Sequence, residues 1–269
     1  MLKSPKYVLI TGASSGIGKS TAQLLEQKGF TVFGGGREYL DINDDDSIQK
    51  AFIQISEKTG ENGLYGLVNN AGIAVAGPIE FLPIEKLRLQ LETNVIGQVK
   101  ITQAFLPLIR KAKGRIINIS SIAGYTAFPF KGAYCASKHA IEAISDSLRR
   151  ELLPWGIQVS VIEPGIIRTP IWDKSFGLLQ ETICEMNEDA QKYYGNYCEP
   201  LIERTRKKVD EIAIPPEHVA EAVFKALNDR NPRTRYRVGK DAQFLNLIKL
   251  LPDKILDKLI CSHLKVNKK

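Results

Sequence analysis

A tyrosine and a lysine stand four residues apart in "KGAYCASKHAIEA", residues 131–143, where an apolar-periodic segment reads as a helix. At that spacing Tyr134 and Lys138 share one helical face. The pairing has a chemical use, because a free phenol has a pKa of ~10, too high for acid–base work near neutrality. Bringing it to ~7 takes about 4 kcal/mol, and a cation about 4 Å away at an effective dielectric near 20 offers a Coulomb energy of that size before desolvation is subtracted. Upstream, "RIINISS" ends in Ser120 and Ser121, either of which can hold a carbonyl or alkoxide oxygen while Tyr134 exchanges its proton. A second pair of the same spacing, Tyr236 and Lys240 in "YRVGK", contains Gly239, reads as a strand and turn, and has no serine-bearing strand before it, so it reads as incidental.

These side chains need a scaffold. Short Val- and Ile-rich runs ("KYVLIT", "TVFG", "LYGLVNN", "GRIINIS", "IQVSVIE") alternate with helical segments near 16–28, 44–59, 84–111 and 134–152. Strands that are apolar on both faces and alternate with helices specify a parallel sheet covered on both sides. The expectation is an α/β, Rossmann-type doubly wound fold in a single domain. No repeat or low-complexity linker interrupts the rhythm before residue 164. Residues 166–214 are helical but irregular and follow a strand's C-terminal end, where a substrate lid would sit; "PPEHVAEAVFKAL" then resumes a clean amphipathic helix.

The chain has 269 residues, 43% hydrophobic and 25% charged, enough for a sizeable core and unlike a disordered or fibrous sequence. Cys135, Cys184, Cys198 and Cys261 show no metal-ligand spacing, and the N-terminus lacks a leader pattern, so a cytoplasmic protein with reduced thiols and no metal is expected. No stretch approaches the ~20 apolar residues of a spanning helix, which leaves only surface contact with a membrane. The formal charge of +7 comes from scattered basic residues with no aromatic–basic reading surface, so nucleic acid is not an expected partner. From Phe244 to Leu264 apolar residues recur at helical spacing, broken at Pro252, with Lys249, Lys254, Lys258 and Lys265 interspersed. Such a segment (about 241–265) suits packing on its own domain, a sister subunit or a membrane surface.

"VLITGASSGIGKS" sets Gly12, Gly16 and Gly18 between the first strand and the first helix, where glycines allow a tight turn and free N–H groups attract a pyrophosphate. The same residues spell a G-x-S-x-G elbow with Ser14 as a hydrolytic nucleophile. That rival is weak, because an elbow normally follows several strands and His139, His218 and His263 have no evident acidic partner. At the second strand's tip, Gly36 holds the position of a ribose-binding carboxylate and Arg37 follows it. A guanidinium fork there favours NADP(H) over NAD(H), Glu38 being free to point away.

Taken in order, these motifs resemble the short-chain dehydrogenase/reductase family over at least residues 5–170. The family's TGxxxGxG loop is matched by Thr11, Gly12, Gly16 and Gly18, its NNAG motif by Asn69, Asn70, Ala71 and Gly72, its catalytic asparagine by Asn94, and its YxxxK by Tyr134 and Lys138. Its PG motif after the sixth strand is matched by Pro164 and Gly165, with Thr169 beyond. The family's serine lies thirteen residues before its tyrosine, which selects Ser121 over Ser120. The resemblance implies that Ser121 and Tyr134 grip the reacting oxygen, that Lys138 binds the nicotinamide ribose and lowers the phenol pKa, and that Asn94 supports a proton-relay water. It further implies cofactor contacts from Gly12, Ser14, Ser15, Gly16, Ile17, Gly18, Arg37, Asp41, Ile42, Asn70, Ala71, Gly72, Tyr134, Lys138, Pro164, Gly165, Ile167 and Thr169.

Two departures stand out. Only Glu38 and Tyr39 separate Arg37 from "LDI", where most relatives carry a helix, and Ser15 occupies a loop position that is basic in some NADP-preferring relatives. The second half, through "YGNYCEP" and the C-terminal segment, is similar to the branch of retinol and 17β-hydroxysteroid dehydrogenases. That likeness implies a small lipophilic alcohol or carbonyl substrate of retinoid or steroid type, and self-association as a dimer or tetramer. Phe128, Phe130, Ile166, Ile167, Ile171, Trp172 and Phe176 are candidates to line an apolar pocket. A nucleotide-sensing protein without catalysis is the competing reading, weakened by the joint presence of Asn94, Ser121, Tyr134 and Lys138.

Overall fold

Alternating residues of the central strands feed two separate cores. In the computed structural model, which describes residues 5–185 and 187–264, Val8 and Ile10 of β1 (Tyr7–Ile10) point to one face of the sheet and Leu9 to the other. On the first face they meet Val68 of β3 (Gly66–Asn69), Leu25 of α1 (Gly16–Gln27), and Val219, Val223 and Leu227 of α8 (Glu217–Asn228). On the second face Leu9 meets Ile116 of β4 (Arg115–Ile119), Ile55 of α2 (Asp45–Thr59), and Ile101, Phe105 and Ile109 of α4 (Gly97–Ala112). Each of these apolar side chains stabilises the fold by roughly 1.5–3 kcal/mol on burial. Among the described residues, β2 (Thr31–Gly34), β5 (Gln158–Pro164) and β6 (Arg235–Val238) complete a six-stranded sheet in the order β2-β1-β3-β4-β5-β6, with every pairing parallel.

The chain leaves β1 toward β2 on one side and toward β3 on the other. That switch opens a crevice at the carboxyl ends of β1 and β3, where ligands bind in open α/β sheets. Beneath it a buried polar ladder crosses the sheet: Asn69 donates to Thr102 Oγ1 (3.0 Å) and to Asn118 Oδ1 (2.9 Å), and Asn118 donates to Ser145 Oγ (2.8 Å). It ties α4 to α5 (Gly132–Glu151) through β3 and β4, fixing the two helices that flank the crevice.

Two expectations about elements need correction. The strand before the lid is the fifth in chain order, not the sixth. Residues 35–44 are too few for a crossover helix and another strand, and they fold instead into turns with Leu40 N–H donating to Gly36 O (3.1 Å). The helix expected over 84–111 is also not continuous. It divides into α3 (Ile84–Leu91) and α4, joined by a π-helical turn at Glu92–Ile96 that contains Asn94.

The lid consists of α6 (Ile171–Cys184) and α7 (Glu188–Ile212), packed through Phe176, Leu179 and Ile202. After β6, α9 (Lys240–Ile248) is anchored by the buried Ala242, whose carbonyl accepts from Tyr125 Oη at 2.9 Å. Outward from there Phe244, Leu247 and Leu250 are 60%, 69% and 82% exposed, and Ile255 and Leu259 of α10 (Asp253–Leu264) are exposed as well. Lys265 lies outside the described residues. No helix among the described residues is long and apolar enough to cross a membrane.

Candidate active site

One cavity of about 740 Å³ follows the carboxyl ends of the strands, and every candidate catalytic or cofactor-binding residue named from sequence except Gly18 lines it. Gly18 is buried behind the wall, where a Cβ would run into the Gly12 carbonyl oxygen and lie 2.5 Å from Asn70 Nδ2. Gly12, with φ +65°, makes the turn from β1. Thr11 Oγ1 accepts from the N–H groups of Asn70 and Ala71 (both 3.0 Å), and Asn70 Nδ2 donates back to the carbonyls of Thr11 (2.9 Å) and Gly12 (3.1 Å). The two loops at the switch point are thereby stitched into one rigid cradle.

Helix α1 opens into that cradle with Ser15 as its N-cap residue. No side chain caps it and its first turn carries no acid, so its first N–H groups remain donors to an anion. These features fit the pyrophosphate of a dinucleotide. Ser14 is exposed on this loop, and the His139 ring pairs with the Cys135 carbonyl (2.9 Å), so among the described residues nothing assembles the hydrolytic triad that an elbow would need.

At the adenosine end Glu38 does not use the freedom to point away. Its carboxylate folds back to accept the Gly36 N–H at 2.8 Å, so an acid and the exposed guanidinium of Arg37 share the strand tip. Asp41 Oδ1 accepts from Asn43 N–H (3.0 Å), which starts the turn leading into α2 with Ile42 buried beneath.

At the other end, the Ser121 hydroxyl lies near enough to Tyr134 to lower the phenol pKa, and Ser121 Oγ accepts from Ala123 N–H (3.1 Å). Ser120 is buried with its Oγ unpartnered, yet it too reaches the cavity wall. Lys138 is buried and donates to the Ile119 carbonyl at 2.7 Å, its Nζ 5.8 Å from the Tyr134 ring centroid. The electrostatics differ from the simple expectation of a cation pulling the phenol down. Burial pushes Tyr134 up to about 12, against the lowering effect of the nearby Ser121 hydroxyl. Burial also brings Lys138 down to about 8, against the Glu142 carboxylate one turn on. Desolvation therefore dominates both groups.

Asn94, fully buried, accepts from Ile73 N–H (2.8 Å) and donates to Ile73 O (3.0 Å) and Ser137 Oγ (3.1 Å). Its side chain is committed to bracing the loop after Gly72 against α5, and the π-helical turn is what brings it there. Sequence reasoning missed two members of this brace. Gln90 accepts from Val75 N–H (2.7 Å) and donates to Ile73 O (3.0 Å), while Ser137 donates to Tyr134 O (2.7 Å). Ser137 lay in plain view within the tyrosine–lysine motif; Gln90 signals itself only by standing four residues before Asn94.

On the lid side, Phe128, Ile166, Ile167, Ile171 and Trp172 line the cavity. Phe130 and Phe176 do not. They pack within the lid, Phe130 against Leu201 and Tyr194 and Phe176 against Leu179 and Ile202. Trp172 Nε1 donates to Ile167 O (2.8 Å), tying α6 to the loop after Pro164 and Gly165, and Thr169 lies against Gly16, 3.1 Å from where a Cβ would be. The Tyr236–Lys240 pair is structural, since the Tyr236 hydroxyl accepts from Arg233 N–H (3.0 Å) at a sheet edge away from the cavity.

With a tyrosine, serine and lysine gathered beyond a dinucleotide cradle, the comparison with known proteins is direct. The profile of the short chain dehydrogenase family matches residues 38–177. A 3-amino-tetrahydro-pyrrolizinone reductase from Xenorhabdus hominickii is 41% identical over 261 residues, covering 91% of this chain and 91% of that one. An NADPH-dependent 3-dehydrocapnine reductase from Ornithobacterium rhinotracheale is 37% identical (97% and 98% covered), and retinol dehydrogenase 5 from Mus musculus 36% (96% and 88%). A solved short-chain dehydrogenase from Streptomyces avermitilis superposes with a TM-score of 0.76 at 28% identity, over 96% of this chain and 95% of that one. The chain belongs to the short-chain dehydrogenase/reductase family. It is an oxidoreductase similar to the retinol and 17β-hydroxysteroid dehydrogenase branch of that family.

Proposed function

We propose that the protein uses NADP(H) to interconvert a hydrophobic alcohol and its ketone or aldehyde, with Tyr134 as the general acid and base. The observation that carries this reading is the gathering of Tyr134 and Ser121 on one wall of the cavity, with buried Lys138 behind them. When bound, the nicotinamide supplies or accepts the hydride. Ser121 and Tyr134 hold the reacting oxygen between two hydroxyls, and in the reductive direction Tyr134 donates its proton to that oxygen. Lys138, one turn along α5, returns a proton toward the phenol. Because both Nδ2 hydrogens and Oδ1 of Asn94 are committed to the brace, any relay water it supports rests on its backbone carbonyl in the π-helical turn. A phenol raised toward 12 is fully protonated near neutrality, which favours the reductive direction there.

Support for the 2′-phosphate comes from the exposed Arg37 fork and from a 37%-identical relative whose name specifies NADPH. The Glu38 carboxylate at the same strand tip opposes it and sets the size of the preference. Support for a lipophilic substrate comes from the apolar lid wall and from the relative named a retinol dehydrogenase. The exposed apolar side chains of α9 and α10 support self-association through that face, which sedimentation of the wild type and of Leu247→Ser/Leu250→Ser would read as loss of the larger species. The functional test is oxidation of NADPH, and separately of NADH, with a panel of retinoid, steroid and aliphatic carbonyl compounds. Turnover of lipophilic members with NADPH favoured supports the reading; turnover with neither nucleotide refutes it.

A further inference from the structure

We propose that the lid-side end of the cavity is an anion subsite built on Lys131, so that the substrate carries a carboxylate or sulfonate beside its apolar body. The inference rests on the oxidoreductase reading above and refines its substrate class from a neutral lipophile to an anionic one. Lys131 lines the same cavity as Tyr134 and precedes it by three residues, so the two flank one end of α5. Its Nζ stands 4.8 Å from the centroid of the Trp172 indole, and that ring is fixed by its own hydrogen bond to Ile167 O. The cation therefore spans the cleft from α5 to the lid helix α6.

Among the described residues no carboxylate neutralises it. Lys131 makes no ion pair among them, whereas the other lysine close to the reaction centre, Lys138, has the Glu142 carboxylate raising its pKa. The groups that face Lys131 are Lys208 of α7, which repels its charge, and the Cys135 thiol of α5. Lys174 and Glu181 of α6 lie on the same cavity wall, both exposed. Burial accordingly brings Lys131 down to about 8. A half-buried cation without a counter-ion is costly to keep unless a ligand supplies the missing charge.

The backbone is shaped to hold it there. Phe130, immediately before Lys131, has φ +63°, a left-handed conformation unfavourable for a bulky residue. It is kept by the Gly77 N–H donating to Phe130 O (2.8 Å) and by its ring packing on Tyr194 and Leu201 of the lid.

The test pairs matched probes on the full chain with NADPH: a medium-chain γ-keto carboxylate, its methyl ester, and the corresponding γ-keto sulfonate. The expected result is that the carboxylate-to-ester ratio of kcat/KM falls about 10-fold or more in Lys131→Met, through KM, and recovers in Lys131→Arg. The sulfonate should behave as the carboxylate does. In the wild type the same ratio should decline as pH rises through about 8; Lys138 titrates there too but serves both probes, so the ratio removes its contribution. A ratio indifferent to Lys131→Met and to pH overturns the subsite and leaves the oxidoreductase reading standing. Absence of turnover with every probe and either nucleotide sinks the oxidoreductase reading instead. The subsite is then decided by Trp172 fluorescence, where saturable quenching by octanesulfonate but not octanol, lost in Lys131→Met, upholds it and equal responses overturn it.

Discussion

Gly18→Ala is the sharpest structural test of the dinucleotide cradle. An added Cβ would press on the Gly12 carbonyl oxygen, sit 2.5 Å from Asn70 Nδ2 and 3.0 Å from Ala13 Cα. None of these is the free end of a flexible chain: two are backbone, and Asn70 Nδ2 is held by the Thr11 and Gly12 carbonyls. Reaching ordinary contact at about 3.4 Å requires α1 to recede by roughly 1 Å, an overpacking that costs about 1–3 kcal/mol. If the fold absorbs the strain, the Asn70–Gly12 bond breaks at a further cost of about 1 kcal/mol and the first N–H groups of α1 move off the pyrophosphate position. Equilibrium titration of NADPH fluorescence should show a Kd raised at least ~10-fold, and thermal unfolding a Tm lowered by several degrees. A variant with wild-type Kd and wild-type Tm would refute the reasoning, because it would mean that α1 does not abut the loop as described.

Other consequences are open to measurement. Ser121→Ala should lower kcat for carbonyl reduction by about 10²-fold or more with little change in nucleotide Kd, as expected for a donor acting on the reacting oxygen. Because Lys138 is lowered to about 8 and Tyr134 raised to about 12, carbonyl reduction should hold its rate below pH 8 and decline above it as the lysine proton is lost; a reductive kcat/KM that climbs through pH 8 would contradict this. Glu38→Gln should shift nucleotide preference further toward NADPH and Arg37→Ser toward NADH, each by about 3- to 30-fold at low salt, since both groups face solvent. Asn94→Ala removes a fully buried side chain and leaves the Ile73 N–H without its acceptor, while Ile73 O keeps its bond from Gln90, and should cost about 1–3 kcal/mol by denaturant unfolding.

Local signals carried the sequence reading a long way. Tyr134 and Lys138 share a face because four residues is a helical turn, Ser121 sits where a buried strand ends, and Gly12, Gly16 and Gly18 lie where a strand meets a helix. What escaped depends on contacts made far along the chain. The π-helical turn that seats Asn94 has no propensity signature, because its stability comes from Ile73 and Ser137. Glu38 looked free to turn outward until the Gly36 N–H was seen to need an acceptor. Phe130 and Phe176 look like pocket aromatics in sequence, yet the lid helices claim both for their own packing. Lys131 reads as an ordinary solvated lysine until Trp172 arrives from the lid.

The most direct measurement for the proposed chemistry is single-turnover NADPH oxidation by Tyr134→Phe beside the wild type, with nucleotide Kd measured on both. Removing only the hydroxyl keeps the ring beside Lys138 and should leave Kd within about 2-fold while the hydride step slows by about 10³-fold or more. A mutant that reduces a lipophilic carbonyl at the wild-type rate would contradict the assignment of Tyr134 as proton donor.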